Sequence, residues 1–219
     1  MANIESAQEE VIYKSNPSIM NLQQTRELPF KHTLETLIDT EEYAKFIYNI
    51  EYQFRHSKFY RDYKANIYAE GFNYDQQMRN ITADMADIEL HHHLPTLKEA
   101  AIVLTEYYVK TYGEVCTMDI IELLIWCHRQ NLMGTIMLTS SMHQAYHNDP
   151  TVFISIGQLR GKPFEFIDRF GMFFTLDIAM RYLMQFKQEE QYNGITQWPQ
   201  IPRALTQLRI WTDQGYIQY

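Results

Sequence analysis

Apolar residues recur at spacings of three and four along most of the chain, so helices dominate the expected fold. Tyr43, Phe46, Ile47 and Ile50 set that period from about Asp39, with Thr40 placed to cap the helix. Phe59, Tyr60, Tyr63 and Ile67 line a second helix over 57–69, which Gly71 ends. Ala101, Leu104 and Tyr108 face inward on a third, 97–112, with Lys98 and Glu99 outside and Gly113 closing it. Ile120, Leu123, Leu124 and Cys127 share one face of a fourth, 118–129. Elsewhere the period drops to two. MRNIT (78–82) and DIELHH (87–92) predict two strands joined by a turn, with Pro95 as the stop, and GTIML (134–138) and TVFISI (151–156) predict two more. Thr139 or Ser140 caps a short helix that ends near 148–150. Residues 164–190 form a long amphipathic helix with a break at Gly171. A short helix at 203–211 lies in a tail punctuated by Pro199, Pro202 and Gly215. Residues 1–30 are polar and aperiodic, which predicts a loose arm.

The composition supports a folded chain. Hydrophobic residues make up 46% of the 219, enough for a sizeable core. The 16 Tyr and 12 Phe fall mostly at helical spacing, so they read as core filling rather than as a stacking surface for bases. A net charge of −8 argues against a surface that grips nucleic acid throughout, because affinity for phosphate comes largely from Lys and Arg. It leaves room for a local basic strip, or for a metal that supplies the positive charge. The two cysteines, Cys116 and Cys127, form no CxxC pair, which excludes a zinc ribbon or a disulfide framework and fits a reducing compartment. The first 25 residues lack the layout of a secretory signal, and no apolar run approaches the ~18 residues a bilayer span needs. No membrane partner is expected, and residence is cytoplasmic (the host cytoplasm for a viral chain).

Candidate chemistry sits in two histidine clusters. His91, His92 and His93 stand together in ELHHHLP (89–95), and His143 and His147 lie four apart on the predicted helix after the 134–138 strand. Spacing of i, i+4 puts both rings on one helix face, close enough to reach one cation. In an ideal strand His91 and His93 share a face and His92 points away, so spacing alone allows a closed four-histidine site of His91, His93, His143 and His147.

The two segments resemble the HNH, or ββα-metal, nuclease family. HHHLP resembles its D/H-H-x-x-P element, and MLTSSMHQAYHND resembles its strand and metal-binding helix. The nuclease colicins are the nearer likeness and phage-encoded HNH-like proteins a looser one, over roughly residues 58 to 170. The resemblance implies an α+β fold: a mostly helical domain around a ββα-metal core, with a long helical insertion and a helical C-terminal extension. The boundaries would be an arm at 1–30, a helical lead-in at 31–77, a core at 78–160 with the insertion at 96–130, and the extension at 161–219. It implies a metal-dependent endonuclease cutting nucleic acid, DNA in the first place.

Counted back from Pro95, the resemblance makes His91 a metal ligand and His92 the general base, with His143 and His147 as the helix ligands. His92 then takes precedence over the closed site, since alternation is least dependable at the strand end before Pro95. One divalent ion (Mg2+, Zn2+ or Mn2+) would bind a phosphate oxygen and the leaving 3′-oxygen, while His92 takes a proton from the attacking water. Glu89 and Asp149 are candidate partners for the outer ring nitrogens, and His93 is a further supporting candidate. The family's central Asn falls on Gly134, a departure that Asn131 would have to make good. Nucleic-acid contacts would come from Arg55, Lys58, Arg61 and Lys64 in RHSKFYRDYK, from Arg79, and from Arg160 and Lys162; the same decapeptide equally reads as a solvated helix face.

Gly134 also motivates an alternative: an HNH-like fold without hydrolysis, serving as a viral structural or regulatory protein-binding module. Its partner would meet the arm or the aromatic C-terminal half, including Phe170, Phe173, Phe174, Tyr182 and Phe186. A metal hydrolase acting on a small phosphoester fits less well, because there is no Gly-rich phosphate cradle and no Asp-rich cluster.

Overall fold

The structure, a computed structural model, describes residues 31–33, 37, 40–149 and 151–194. The arm at 1–30 and the tail helix at 203–211 lie outside these residues. Helix α1 (Thr40–His56) buries Phe46, Ile47, Ile50 and Phe54. Ser57 Oγ accepts from the Tyr60 amide and starts α2 (Lys58–Ala69), and Gly71 follows at φ +94°, past the helix end. Thr96 and Glu99 form a reciprocal capping box on α3 (Leu97–Tyr112), which ends at Gly113 in the left-handed region. A short strand pair, β1 (His32–Thr33) with β3 (Glu114–Val115), precedes α4 (Thr117–Arg129). Asn131 at φ +57° turns the chain after α4, a conformation Asn tolerates better than most side chains.

The principal sheet pairs β2 (Ile88–Leu94) with β4 (Gly134–Thr139), antiparallel, with α3 and α4 in the crossover between them. Thr139 caps α5 (Ser140–Asn148), accepting from the Met142 amide at 3.1 Å. Pro163 opens α6 (Pro163–Phe170); a 3-10 turn at Gly171–Phe173 separates it from α7 (Leu176–Asn193), so the break expected at Gly171 is present. One apolar core draws on α1, α3, α4, α6 and α7, with Leu104, Leu124, Phe166 and Tyr182 wholly inside it. Among the described residues the fold is α+β and mostly helical, with seven helices and two two-stranded sheets. No described helix is long and apolar enough to cross a membrane.

Two expected strands are absent, each for a visible reason. Residues 78–82 do not pair with β2; the buried Asp75 carboxylate takes the Gln77 and Met78 amides, both at 2.8 Å, and bends the segment into a turn. The partner of β2 is β4 instead, some forty residues on. Residues 151–156 also make no ladder. Gln185 donates to the Ile154 carbonyl and Glu189 accepts from the Ile156 amide, so side chains of α7 satisfy that backbone. The C-terminal aromatics are no surface: Phe170, Tyr182 and Phe186 are buried, and Phe173 and Phe174 pack against the core. Glu99, expected outside, is half-buried and ion-paired with Arg181.

Candidate metal centre

Strand β2 runs into the interior: every residue from Leu90 to Leu94 is buried, three histidines included. Strand alternation then separates the imidazoles, because neighbours on a strand point to opposite faces. His91 faces α5. Its ring centroid lies 4.6 Å from that of His143 and 5.5 Å from that of His147, and those two are 4.9 Å apart. One nitrogen from each of the three lies within 4.8 Å of the others.

The second layer of contacts orients these rings. Glu89 shares the His91 face of β2, two residues away, and its Oε2 meets His143 Nδ1 at 2.7 Å. Ser140 donates to Glu89 Oε1 at 2.5 Å, and the two hydrogen bonds, Ser140 first, hold the carboxyl below its usual range. With Nδ1 turned to a carboxylate, His143 presents Nε2 inward, 3.1 Å from His147 Nε2. His91 Nε2 is buried with no hydrogen-bond partner. Burial, and then the neighbouring His143, push the His91 imidazole down to about 2, so it is neutral and offers a lone pair. Asp149 does not join the site; its carboxylate bonds Thr151.

His92 is on the other face, so the general-base position assigned to it is a misplacement. Its Nε2 meets His128 Nε2 at 2.8 Å in a pocket lined by Phe54, Phe59, Tyr60 and Tyr63. His128 Nδ1 donates to the Leu124 carbonyl at 2.7 Å, so in the neutral ring its Nε2 is the acceptor and His92 Nε2 carries the proton. His92 Nδ1 is left buried and unpartnered. His93 shares the His91 face but sits at a bulge opposite Gly134, between the pairs His92–Thr135 and Leu94–Gly134. Gln185 donates its amide to Ile154, which turns Oε1 toward His93 Nε2 at 3.2 Å. The closed four-histidine arrangement is therefore not formed: the His91 and His93 rings are 6.0 Å apart, and His93 is engaged with α7.

Gly134, where the nuclease motif has Asn, is required by packing. A Cβ there would lie 2.6 Å from the Leu94 carbonyl oxygen. Asn131, the proposed substitute, serves elsewhere: its carbonyl accepts from the Lys162 amide at 2.6 Å. Of the basic residues expected at nucleic acid, four pair with carboxylates: Arg55 with Glu51, Lys58 with Asp62, Arg160 with Glu70 and Lys162 with Glu165. Lys64 lies over the Tyr68 ring, and Arg61 and Arg79 are exposed.

Sequence periodicity missed several polar residues that position the site. The Asp75 Oδ2 accepts from the Thr139 amide at 2.7 Å, at the very start of α5. Gln76 completes the free edge of β4 at Met137 through its backbone amide (2.9 Å) and side-chain oxygen (2.8 Å). Gln185 and Glu189 fall on the register of Ile178 and Tyr182, the inward face of α7, and a polar residue in an apolar register was the one available signal.

The model of the bacteriophage G278-like virion protein family matches residues 3–203. No curated protein and no solved structure matches the chain significantly. The family match overturns the HNH assignment and, with it, the expected nuclease and hydrolase activity. The motifs behind that assignment are five and thirteen residues long, and the structure ties them together through a bulge and a packing glycine rather than through the family's Asn.

Proposed function

The chain belongs to the bacteriophage G278-like virion protein family, and on that premise we propose that it is a structural component of the phage particle, made in the host cytoplasm and bound to other virion proteins. The family match carries this reading, since it covers residues 3–203 and so spans the whole described fold. The geometry supports it. The one histidine the nuclease motif needs as base is sealed on the far face of the sheet from His91, His143 and His147. On α1, Tyr48, Tyr52 and His56 stack in an exposed row at four-residue spacing, the kind of aromatic surface that subunit contact covers. Mass spectrometry of gradient-purified particles tests the proposal. The chain is expected at a fixed ratio to the major particle proteins. Its absence from purified particles, with expression in infected cells, would overturn the assignment.

A further inference from the structure

We propose that His91, His143 and His147 bind one zinc-class divalent cation that fastens α5 to the β2–β4 sheet. Three features of the site converge on this. The donor atoms are already gathered: each ring offers a nitrogen within 4.8 Å of the other two, and His143 Nε2 and His147 Nε2 are 3.1 Å apart. Tetrahedral coordination with Zn–N bonds of about 2.0–2.1 Å puts ligand nitrogens about 3.3–3.4 Å apart, so modest ring rotation completes the set. Next, a single N–H···N bond between His143 and His147 satisfies that pair but leaves His91 Nε2 buried and unpartnered, a cost that a cation removes. Finally, Glu89 on His143 Nδ1 is the carboxylate–imidazole arrangement that sets tautomer and ring angle for a metal ligand, and Ser140 holds Glu89 in turn.

The donor set selects the ion. Neutral imidazoles suit zinc, cobalt or nickel, whereas Mg2+ favours oxygen ligands, so Mg2+ is not the ion for this site. The local structure also gives such an ion a role. Helix α5 has nine residues and none of them is buried; only Met142 and Tyr146 pack partly against Ile136, Leu138 and Ile154. So short a helix gains little from apolar burial, and a cation shared with the buried His91 ties it to the sheet. Three protein ligands would leave a fourth position open to water, and His147 is the exposed member of the set.

The site rests on these residues and not on the virion assignment, so it is tested separately. Full-length protein is stripped with EDTA and titrated with Zn2+ by calorimetry, with Co2+ absorption reporting tetrahedral geometry. One ion per chain is expected, with Tm raised by about 5–10 °C at a hundredfold excess over Kd. His147→Ala, an exposed change on a helix end that leaves the core untouched, should abolish the Co2+ spectrum and the Tm shift. Glu89→Gln should weaken Zn2+ by about 10–100-fold. Failure of the wild-type protein to bind Zn2+ would overturn the proposal, and so would undiminished binding by the His147→Ala variant.

Discussion

Acid should destabilise this protein partly through His128, one of four buried histidines whose pKa is pushed down, and the structure sets the size of that one contribution. The ring is enclosed by Phe54, Phe59 and Tyr63 and faces a single other titratable nitrogen, that of His92. Burial pushes its pKa down to about 4, partly opposed by its bond to the Leu124 carbonyl, against 6.5 for the free side chain. The sign follows from the depressed value. Below pH 6.5 the unfolded chain takes up a proton that native His128 refuses, so stability is full above that pH and falls as the pH drops toward about 4. At pH 5 the unfolded state gains about 2 kcal/mol from this one group, and at pH 4 about 3 kcal/mol. A domain is stable by only about 5–15 kcal/mol, so this is a large fraction. Urea unfolding at pH 7, 6 and 5, in EDTA so that metal release adds nothing, measures the slope. His128→Phe provides the reference. It loses two hydrogen bonds and about 2–3 kcal/mol at neutral pH, but its stability should then fall by about 2 kcal/mol less than wild type between pH 7 and 5. Parallel slopes would refute the reasoning. So would a His128 ring that titrates above pH 6 by NMR, a measurement that holds even if the variant folds poorly.

Other perturbations test the supports of the site and the fold. Asp75→Asn replaces an acceptor with a donor facing backbone amides and should cost about 2–3 kcal/mol by urea unfolding; a neutral result would mean the Gln77, Met78 and Thr139 amides find other partners. Arg181→Met strips the ion pair from half-buried Glu99 and a donor from the His93 carbonyl, for an expected loss of about 2–3 kcal/mol that Glu99→Gln should partly relieve in the double variant. Gly161→Ala puts a Cβ 2.2 Å from the Met133 carbonyl oxygen at φ +99°, so it should cost at least about 2 kcal/mol or prevent folding; unchanged Tm would show that this loop shifts freely.

Much of the local structure was legible in the chain. The period of three and four placed α1 to α4, Thr139 supplies a side-chain cap where α5 begins, and Gly171 marks the break between α6 and the 3-10 turn before α7. The i, i+4 spacing of His143 and His147 put their rings together before any fold was known, because a helix converts spacing into proximity on its own. Those facts depend on neighbours a few residues apart. What followed from distant residues could not be read the same way. Whether His92 or His93 stood beside His91 depended on how β2 lay against α5 and α4, and on the bulge opposite Gly134. The partner of β2 was decided by Asp75, whose carboxylate bends 78–82 away, and the fate of 151–156 by Gln185 and Glu189 on a helix thirty residues later. A short motif fixes neither the face a strand turns to its neighbour nor which buried polar group meets it. Only packing of the whole chain chooses among those pairings, because each buried donor and acceptor must find its partner somewhere in the fold.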